Sequence, residues 1–239
     1  MTILVLGATG ATGRLLVEEL LHQEQKVKIV VRSRDRFPDF LTSHNQLTIT
    51  EANLLDMSDF ELQSQVQGCK AVISCLGHNL TFKGMFGHPR RLVSIATKRI
   101  CEAIGKTSPK VPVKYILMNT TGNQNKLAGE TVSIAQTMVL GLLRHLLPPH
   151  ADNEEAADYL QSKFGINQKV IEWATVRPDS LINELSVTEY HVYSSPIRSA
   201  IFDAGQTSRI NVAHFMSQLS IKHDLWKKWK GQMPVVYNA

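Results

Sequence analysis

The sequence predicts an α/β fold built on a doubly wound parallel sheet. Apolar runs of strand length alternate with helical stretches along most of the chain, and this alternation implies parallel strands joined by crossover helices. With 239 residues, 43% of them hydrophobic, the chain can bury one large core. We expect a single domain over residues 1–239, in which residues 179–239 form a small extension on the substrate side.

Each predicted element follows from a local pattern. Strands are predicted at the short apolar runs 3–6, 27–31, 47–50, 71–77, 115–119 and 172–176. Helices are predicted at 15–21, 58–66, 90–104, 130–147 and 153–163, and Ser58 is a suitable N-cap for the second of them. The stretch 130–147 carries an apolar stripe, which indicates core packing. Trp226 and Trp229 are expected to hold a C-terminal helix against the body.

The turn between the first strand and the first helix carries three glycines. Residues 7–13 are Gly-Ala-Thr-Gly-Ala-Thr-Gly. Such a turn places backbone N–H groups and the positive end of a helix dipole at one point, as a pyrophosphate requires. Gly7 permits the turn, Gly10 lets phosphates approach the backbone, and Gly13 lets the helix lie close to the strand. The pattern therefore predicts a dinucleotide site of the Rossmann type.

The residues after the second strand indicate which dinucleotide binds. About 20 residues past the turn, an NAD site carries an acid for the ribose 2′-hydroxyl, whereas this chain has Arg32. Arg32, Ser33 and Arg36 offer guanidinium and hydroxyl donors that suit a dianionic 2′-phosphate. We expect NADP(H) as the cofactor, and the alternative is a solvated basic loop.

The composition argues against several other classes of protein. The net charge is +5, but no aromatic residues interleave with Arg and Lys on one element, so no nucleic-acid partner is expected. The longest apolar stretch, near residue 140, is too short to cross a bilayer, and no membrane partner is expected. Three cysteines, spaced for neither a disulfide framework nor zinc, fit a reducing cytoplasm, and the chain starts with a strand rather than a signal leader. No metal site is predicted.

Several motifs together resemble the atypical short-chain dehydrogenase/reductase family, in its NmrA-like and biliverdin/flavin-reductase-like branch. Besides the glycine turn, they are Val-Arg-Ser at 31–33, Val-Ile-Ser-Cys-Leu-Gly at 72–77, Val-Arg-Pro at 176–178 and Thr-Ser-Arg-Ile-Asn-Val-Ala at 207–213. In the last motif, Asn211 is expected to cap a helix. The resemblance spans nearly the whole chain and implies an NAD(P)-binding protein with a crevice at the carboxyl ends of its strands.

The resemblance also implies which residues hold each part of the cofactor. The expected pyrophosphate ligands are Gly7, Thr9, Gly10, Ala11, Thr12 and Gly13. The expected ligands of the 2′-phosphate are Arg32 and Arg36, those of the adenine are Asn53 and Leu54, and those of the nicotinamide-side ribose are Leu76, Gly77 and Asn119, with Pro178 at the same crevice. Asn53 stands where this branch usually has Asp. The adenine amine is therefore expected to bond to a side-chain amide instead of a carboxylate.

Few residues are candidates for catalysis. Tyr159 and Lys163 match the Tyr-x-x-x-Lys pattern of the family, in which the lysine lowers the tyrosine pKa and the tyrosine passes a proton to a carbonyl oxygen. Chance also produces this pattern, and Lys163 lies near the end of its predicted helix. Aligned backward from Pro178, Tyr159 stands where the flavin-reductase branch has an active-site histidine. Thr121 either bonds the reacting carbonyl or caps its loop, and His78 is expected to be solvated rather than to contact a substrate.

Three functions are compatible with these residues. An NADPH-dependent reductase of a small carbonyl, quinone or flavin-like acceptor is preferred. A non-catalytic, NmrA-like redox sensor that binds NADP(H) is the main alternative, and an epimerase or dehydratase needs a larger substrate lobe. A proton donor beside the nicotinamide separates the reductase from the sensor. A monomer or homodimer in the cytoplasm is expected.

Overall fold

The computed structural model describes residues 1–78, 87–130, 148–166 and 169–239. The strands are β1 (Thr2–Leu6), β2 (Lys26–Val31), β3 (Leu47–Glu51), β4 (Ala71–Ser74), β5 (Val113–Met118), β6 (Ile171–Pro178), β7 (Ser180–Ile182), β8 (Tyr190–Tyr193), β9 (Gln206–Ser208) and β10 (Val235–Asn238). The α-helices are α1 (Ala11–His22), α2 (Asp39–Thr42), α3 (Asp59–Val66), α4 (Leu92–Lys106), α5 (Pro148–Phe164), α6 (Arg209–Ile221) and α7 (His223–Trp229), and a short 3-10 helix spans Arg34–Arg36.

The main sheet has the strand order β3-β2-β1-β4-β5-β6-β10-β8. Its pairs are parallel, except that β8 runs antiparallel to β10 at the edge. The order reverses between β1 and β4, and a doubly wound sheet binds its ligand at the carboxyl ends of the strands beside such a reversal. The predicted fold class is therefore confirmed. A second, small sheet pairs β7 with β9 in parallel.

The core lies on both faces of the main sheet because successive residues of a strand point to opposite sides. In β1, Ile3 packs in a cluster with residues of α1, α6 and α7, whereas Leu4 packs in a cluster with residues of α3, α4 and α5. Trp226 and Trp229 are buried in the first cluster, which confirms that they hold α7 against the body. Ser58 caps α3 in a reciprocal capping box with Glu61, as its position predicted.

The C-terminal strands were not predicted from the sequence. The apolar run that forms β10 is short, yet β10 lies beside β6 and extends the parallel sheet. Its register pairs Val236 with Pro178, so that the next residues, Tyr237 and Asp179, lie level at the carboxyl edge. This added strand brings side chains from the end of the chain to the edge where a ligand is expected.

Two helices of the structure differ from those that the sequence predicted. The N-cap of α6 is Ser208, whose hydroxyl accepts a hydrogen bond from the backbone N–H of Asn211 at 3.2 Å. The prediction that Asn211 is the cap was wrong, because Asn211 lies inside the first turn and its amide donates to Thr188 and Asn238 instead. The helix predicted at 153–163 is longer than predicted, because α5 already includes Pro148 and ends at Phe164. The helix predicted at 130–147 lies outside the described residues, apart from its first residue.

Candidate functional site

The glycine turn is shaped by contacts that only glycine permits. Gly7 has a φ of 75°, in the left-handed region, and a Cβ there would lie 2.6 Å from the carbonyl oxygen of Cys75. A Cβ at Gly13 would lie 2.1 Å from the carbonyl oxygen of Gly7, so α1 begins directly against the turn. These two glycines therefore fix the start of α1 relative to β1 and β4.

The N-terminus of α1 is open to an anion. Its N-cap is Gly10, which has no side chain to accept from the first-turn N–H groups, and that turn contains no acidic residue. Thr9, Gly10 and Ala11 are exposed, whereas Thr12 is buried. The positive end of the helix thus has no counter-charge from its own first turn, and this suits a pyrophosphate. The structure brings the predicted pyrophosphate ligands together, and their contacts with a cofactor stay a prediction.

The arginines that follow β2 differ in what they contact. Arg34 donates to a backbone carbonyl oxygen of β3 at 3.0 Å and pairs with Glu51 at 3.9 Å. Among the described residues, neither Arg32 nor Arg36 has a hydrogen-bond or ion-pair partner, and both are exposed. The hydroxyl of Ser33 donates to the carboxylate of Asp35 at 3.4 Å. Arg34 therefore supports the loop, while the other two guanidinium groups can bind a 2′-phosphate.

The predicted adenine-side residues follow β3. The side-chain amide of Asn53 donates to Asp56 at 2.6 Å, which leaves the amide oxygen as the group that can accept from an adenine amine. The carbonyl oxygens of Leu54 and Leu55 accept hydrogen bonds from the guanidinium of Arg99 in α4 at 3.3 and 2.7 Å. Arg99 is thus a positioning residue for this loop, and no local motif in the sequence marked it.

The nicotinamide-side loop follows β4 and is held by a buried carboxylate. Among the described residues, a Cβ at Gly77, next to Leu76, would meet no atom within 4 Å. The side chain of the next residue, His78, is only 4% exposed, and its Nε2 lies 2.8 Å from Oδ2 of Asp152. The expectation of a solvated histidine was therefore wrong, because a carboxylate 74 residues further along the chain takes the place of water.

Asp152 joins three segments of the chain at one side chain. Besides bonding His78, it accepts from the backbone N–H groups of Val93 and Ser94, in the first turn of α4, at 2.7 and 2.9 Å. Burial alone would raise the pKa of Asp152, but the hydrogen bonds from His78, Ser94 and Val93 outweigh burial and hold it below its ordinary value of 3.8. The carboxylate therefore stabilises the starts of α4 and α5 together with the Gly77 loop.

Asp152→Asn is expected to lower the free energy of unfolding at neutral pH by about 1–3 kcal/mol, because the amide turns a donor toward groups that donate. The folded pKa is depressed, so this stabilisation is present above the unfolded-chain value of 3.8 and is lost as the pH falls through the folded value. Urea unfolding at neutral pH and in acid should show a difference between the two proteins that shrinks in acid.

The matched control is Glu155→Gln, one turn further along α5. Glu155 pairs with Arg91 and Lys98 at partly exposed positions. Glu155→Gln should therefore lower the free energy of unfolding by less than about 1 kcal/mol. An Asp152→Asn effect that is equally large at both pH values would contradict the account of the buried carboxylate.

Three predicted residues meet at the carboxyl ends of β5 and β6. The side-chain amide of Asn119 donates to the carbonyl oxygen of Asn153 at 2.9 Å and ties β5 to α5. The backbone N–H of Thr121 donates to the carbonyl oxygen of Pro178 at 3.3 Å, and the next residue, Asp179, accepts from the backbone N–H of Gly205 at 2.9 Å. The structure thus adds a half-buried carboxylate, Asp179, that the sequence did not mark as a functional residue.

A buried ion pair supports the loop after β5. Arg177, which is fully buried, donates to both carboxylate oxygens of Glu130 at 2.7 and 2.6 Å and to the carbonyl oxygen of Asn123 at 2.7 Å. Burial would raise the pKa of Glu130, but the hydrogen bonds from Arg177 and a backbone N–H hold it below its usual value. The arginine of the Val-Arg-Pro motif therefore fixes the shape of the crevice wall.

The structure separates Tyr159 and Lys163 from these crevice residues. Tyr159 follows Asp152 by seven residues in α5. At 1.5 Å per residue it lies about 10 Å further along the helix axis, away from the carboxyl edge of the sheet. Its ring contacts Phe164 edge to face with centroids 5.9 Å apart, and the ammonium of Lys98 lies 5.9 Å from the ring centroid. Tyr159 therefore packs between α5 and α4.

The surroundings of Tyr159 also make it a weaker acid than its predicted catalytic role requires. Burial raises the pKa of Tyr159 to about 12, with smaller contributions from Cys101 and Glu102 of α4. Lys163 is exposed and lies next to the last residue of α5. The expectation that Lys163 lowers this pKa is corrected, because desolvation of the phenol dominates.

Tyr159→Phe is accordingly expected to change turnover less than about threefold, whereas loss of a general acid costs on the order of 100-fold or more. Steady-state oxidation of NADPH by the wild type and the variant makes the comparison. A 100-fold fall would return Tyr159 to the role that the Tyr-x-x-x-Lys pattern suggested.

A scan of protein families matches residues 7–222 to the family described as NAD(P)H-binding. That span covers most of the chain, so the protein belongs to this NAD(P)H-binding family. The dinucleotide-binding prediction made from the glycine turn is thereby confirmed at the level of the family. A search of curated proteins found no match.

Solved structures share the fold at low sequence identity. A short-chain dehydrogenase/reductase of Veillonella parvula in complex with NADP aligns with a TM-score of 0.71 and 18% identity over 99% of this chain and 94% of its own. An anaerobilin reductase of Escherichia coli aligns with a TM-score of 0.70 and 15% identity over 100% and 97%. An oxidoreductase of Lactococcus lactis aligns with a TM-score of 0.69 and 16% identity over 100% and 91%. At these identities the likeness shows the fold alone.

No helix in the described ranges is both long and apolar enough to cross a membrane. In the same ranges, no group of three or more His, Cys, Asp and Glu side chains is placed to hold a metal ion.

Proposed function

We propose that this protein is an NADPH-dependent oxidoreductase that reduces a small carbonyl, quinone or flavin-like acceptor. The observation that carries the proposal is the pair of guanidinium groups at Arg32 and Arg36, which have no protein partner among the described residues and follow β2 where a 2′-phosphate is bound in this fold. When bound, NADPH supplies a hydride and leaves as NADP⁺. The chain supplies binding, orientation and a proton.

The residues present fit the cofactor along its whole length. The open N-terminus of α1 suits the pyrophosphate, and the oxygen of the Asn53 amide suits the adenine amine. No described atom would lie within 4 Å of a Cβ at Gly77, which suits the nicotinamide side of the cofactor, and His78 and Asp152 hold this loop in place. Names of structural relatives point the same way: one is in complex with NADP and another is a reductase.

A redox sensor that binds NADP(H) without turnover is the second candidate. The raised pKa and remote position of Tyr159 favour it, because they remove the proton donor that a short-chain reductase would use. The choice between the two functions therefore depends on whether another proton donor lies at the crevice. For either function we propose a small-molecule ligand, no nucleic-acid or membrane partner, a monomer or homodimer, and a cytoplasmic location.

The experiment is a screen of NADPH oxidation with the purified protein against aldehydes, ketones, quinones and flavins, followed by the fall in NADPH absorbance. The reductase proposal expects turnover with at least one acceptor class, above the rate without protein. Tight NADPH binding with no turnover of any class would favour the sensor.

A further inference from the structure

Residues 53–57, which we call the β3 turn, follow β3 and lie beside the arginine that follows β2. The two strands run parallel, and the backbone N–H of Ala52 donates to the carbonyl oxygen of Val31 at 2.8 Å. Asn53 and Arg32 come directly after these two residues, at the ends of strands that lie about 4.8 Å apart. A nucleotide whose 2′-phosphate meets Arg32 therefore has its base near Asn53, because the base and this phosphate are attached to the same ribose.

The β3 turn is closed by its own backbone and attached to the body by apolar side chains. The backbone N–H of Asp56 donates to the carbonyl oxygen of Asn53 at 2.9 Å. Leu54 and Met57 are buried in the cluster that contains residues of α3 and α4, whereas Asn53 and Asp56 are exposed. The turn is thus fixed on its apolar side and accessible on its polar side.

The two ends of the Asn53 amide differ in what they contact. The amide nitrogen lies 2.6 Å from the carboxylate of Asp56, which accepts hydrogen bonds, so Asp56 fixes the nitrogen on that side. The amide oxygen has no hydrogen-bond partner among the described residues. Adenine carries a donating amino group at C6, whereas hypoxanthine has an accepting oxygen there. The free end of the Asn53 amide therefore suits adenine.

Arg99 of α4 holds three backbone carbonyl oxygens of the β3 turn. Its Nη1 donates to those of Leu54 and Leu55 at 3.3 and 2.7 Å, and its Nη2 donates to that of Met57. A planar guanidinium can bind several acceptors in one fixed geometry. The carboxylate of Asp59 lies further away, at 3.7 Å. The guanidinium therefore mainly fixes the backbone of the turn.

The helix that carries Arg99 is itself firmly placed. Ala96 and Ile100, on either side of Arg99 in the sequence, are fully buried. The first turn of α4 donates two backbone N–H groups to the buried carboxylate of Asp152. Because α4 is anchored along its length, the guanidinium of Arg99 gives the β3 turn one defined position.

We propose that Arg99 determines the selectivity of the cofactor site for adenine, by holding the β3 turn where the Asn53 amide oxygen accepts from the 6-amino group of the base. Asn53 then contacts the cofactor, and Arg99 is a positioning residue that acts through it. This inference rests on the proposed NADPH site, because a 2′-phosphate at Arg32 is what brings the base beside Asn53. It deepens that proposal by making recognition of the base depend on a residue of α4.

The test compares the dissociation constants of NADPH and of its analogue with hypoxanthine in place of adenine, both measured by titration calorimetry. The wild type should bind NADPH at least about tenfold more tightly, because the hypoxanthine oxygen would face the Asn53 oxygen with no proton between them. Arg99→Met, which removes the guanidinium and keeps an unbranched apolar side chain, should weaken NADPH binding about tenfold and binding of the analogue less than about threefold. The preference between the two bases should then be within about threefold.

The ratio of the two constants is a readout that a merely structural role would not move. A general loss of structure would weaken the binding of both dinucleotides by the same factor and leave the ratio unchanged. Asn53→Ala should lower the ratio as far as Arg99→Met does, and the double variant should lower it no further, because both changes remove the same hydrogen bond. Additive losses of selectivity would contradict an action of Arg99 through Asn53.

Lys106→Met is the matched control on the same helix. Lys106 donates to Asp59 at 2.6 Å, the carboxylate that Arg99 also approaches, and among the described residues it has no bond to the β3 turn. Both dissociation constants should stay within about twofold of the wild-type values.

Arg99→Lys is a second variant that decides the question if Arg99→Met does not fold. It keeps the charge, but a single ammonium lacks the fork that reaches three carbonyl oxygens, so the ratio should fall at least about threefold. Circular dichroism and thermal unfolding establish which variants are folded.

A folded Arg99 variant that keeps the wild-type ratio would overturn the inference, as would a wild type that binds the two dinucleotides equally well. A wild type that binds NADPH no more tightly than NADH would overturn the proposed cofactor and, with it, the position of the base. A wild type that prefers NADPH and reduces an acceptor, yet does not distinguish the two bases, would overturn the inference alone.

Discussion

Gly10→Val is expected to abolish NADPH binding while leaving the protein folded. A Cβ at Gly10 would lie 3.2 Å from the carbonyl oxygen of Gly7, a tight contact that a small shift relieves, and the position is exposed. The two methyl groups of valine would then stand in front of the open N–H groups of α1, where a pyrophosphate must approach. Titration calorimetry should show the affinity for NADPH falling by at least about 100-fold, or about 2.7 kcal/mol.

Gly105→Val is the control for Gly10→Val, because it adds the same side chain away from the glycine turn. Gly105→Val lies in α4 at an exposed position where a Cβ meets no atom within 4 Å, so it should leave the NADPH affinity unchanged. Circular dichroism and thermal unfolding establish that both variants are folded. Retained affinity in folded Gly10→Val would show that the turn is structural and holds no pyrophosphate.

Arg32→Asp is expected to narrow or reverse the preference for NADPH over NADH. The guanidinium of Arg32 has no protein partner among the described residues, so the wild type can direct it to the 2′-phosphate, whereas an aspartate there repels that dianion and can accept from a ribose 2′-hydroxyl. The ratio of the two dissociation constants should fall by at least about tenfold, which corresponds to about 1.4 kcal/mol.

Arg34→Asp makes the same change of charge on the same loop and serves as the control for Arg32→Asp. Arg34 bonds a carbonyl oxygen of β3 and pairs with Glu51, so its replacement should alter the loop without removing a phosphate ligand. An equal loss of preference in the two variants would mean that the loop acts through its net charge rather than through a guanidinium at one position.

The parts of the site that the sequence predicted are the parts encoded by neighbouring residues. The glycine turn is a contiguous motif, and its steric demands at Gly7 and Gly13 are local to the turn and to β4. The alternation of strands and helices likewise predicts a parallel sheet, since each crossover is set by the segment between two strands. These features needed no knowledge of which distant residues come together.

The parts that the sequence did not predict depend on contacts between distant segments. The bond between His78 and Asp152 joins residues 74 positions apart, and the hydrogen bond from the backbone N–H of Thr121 to the carbonyl oxygen of Pro178 joins the ends of two strands. No spacing rule marks either pair. The pattern of Tyr159 and Lys163 fixed their shared helix face but not their place in α5, where Tyr159 lies in the second half of Pro148–Phe164.

The most direct test of the proposed cofactor is calorimetric titration of the wild-type protein with NADPH and with NADH at the same pH and salt concentration. Arg32 and Arg36 have no protein partner among the described residues, so pairing with the 2′-phosphate, which only NADPH carries, should make NADPH bind at least about tenfold more tightly, by about 1.4 kcal/mol or more. Equal dissociation constants, or tighter binding of NADH, would contradict the account.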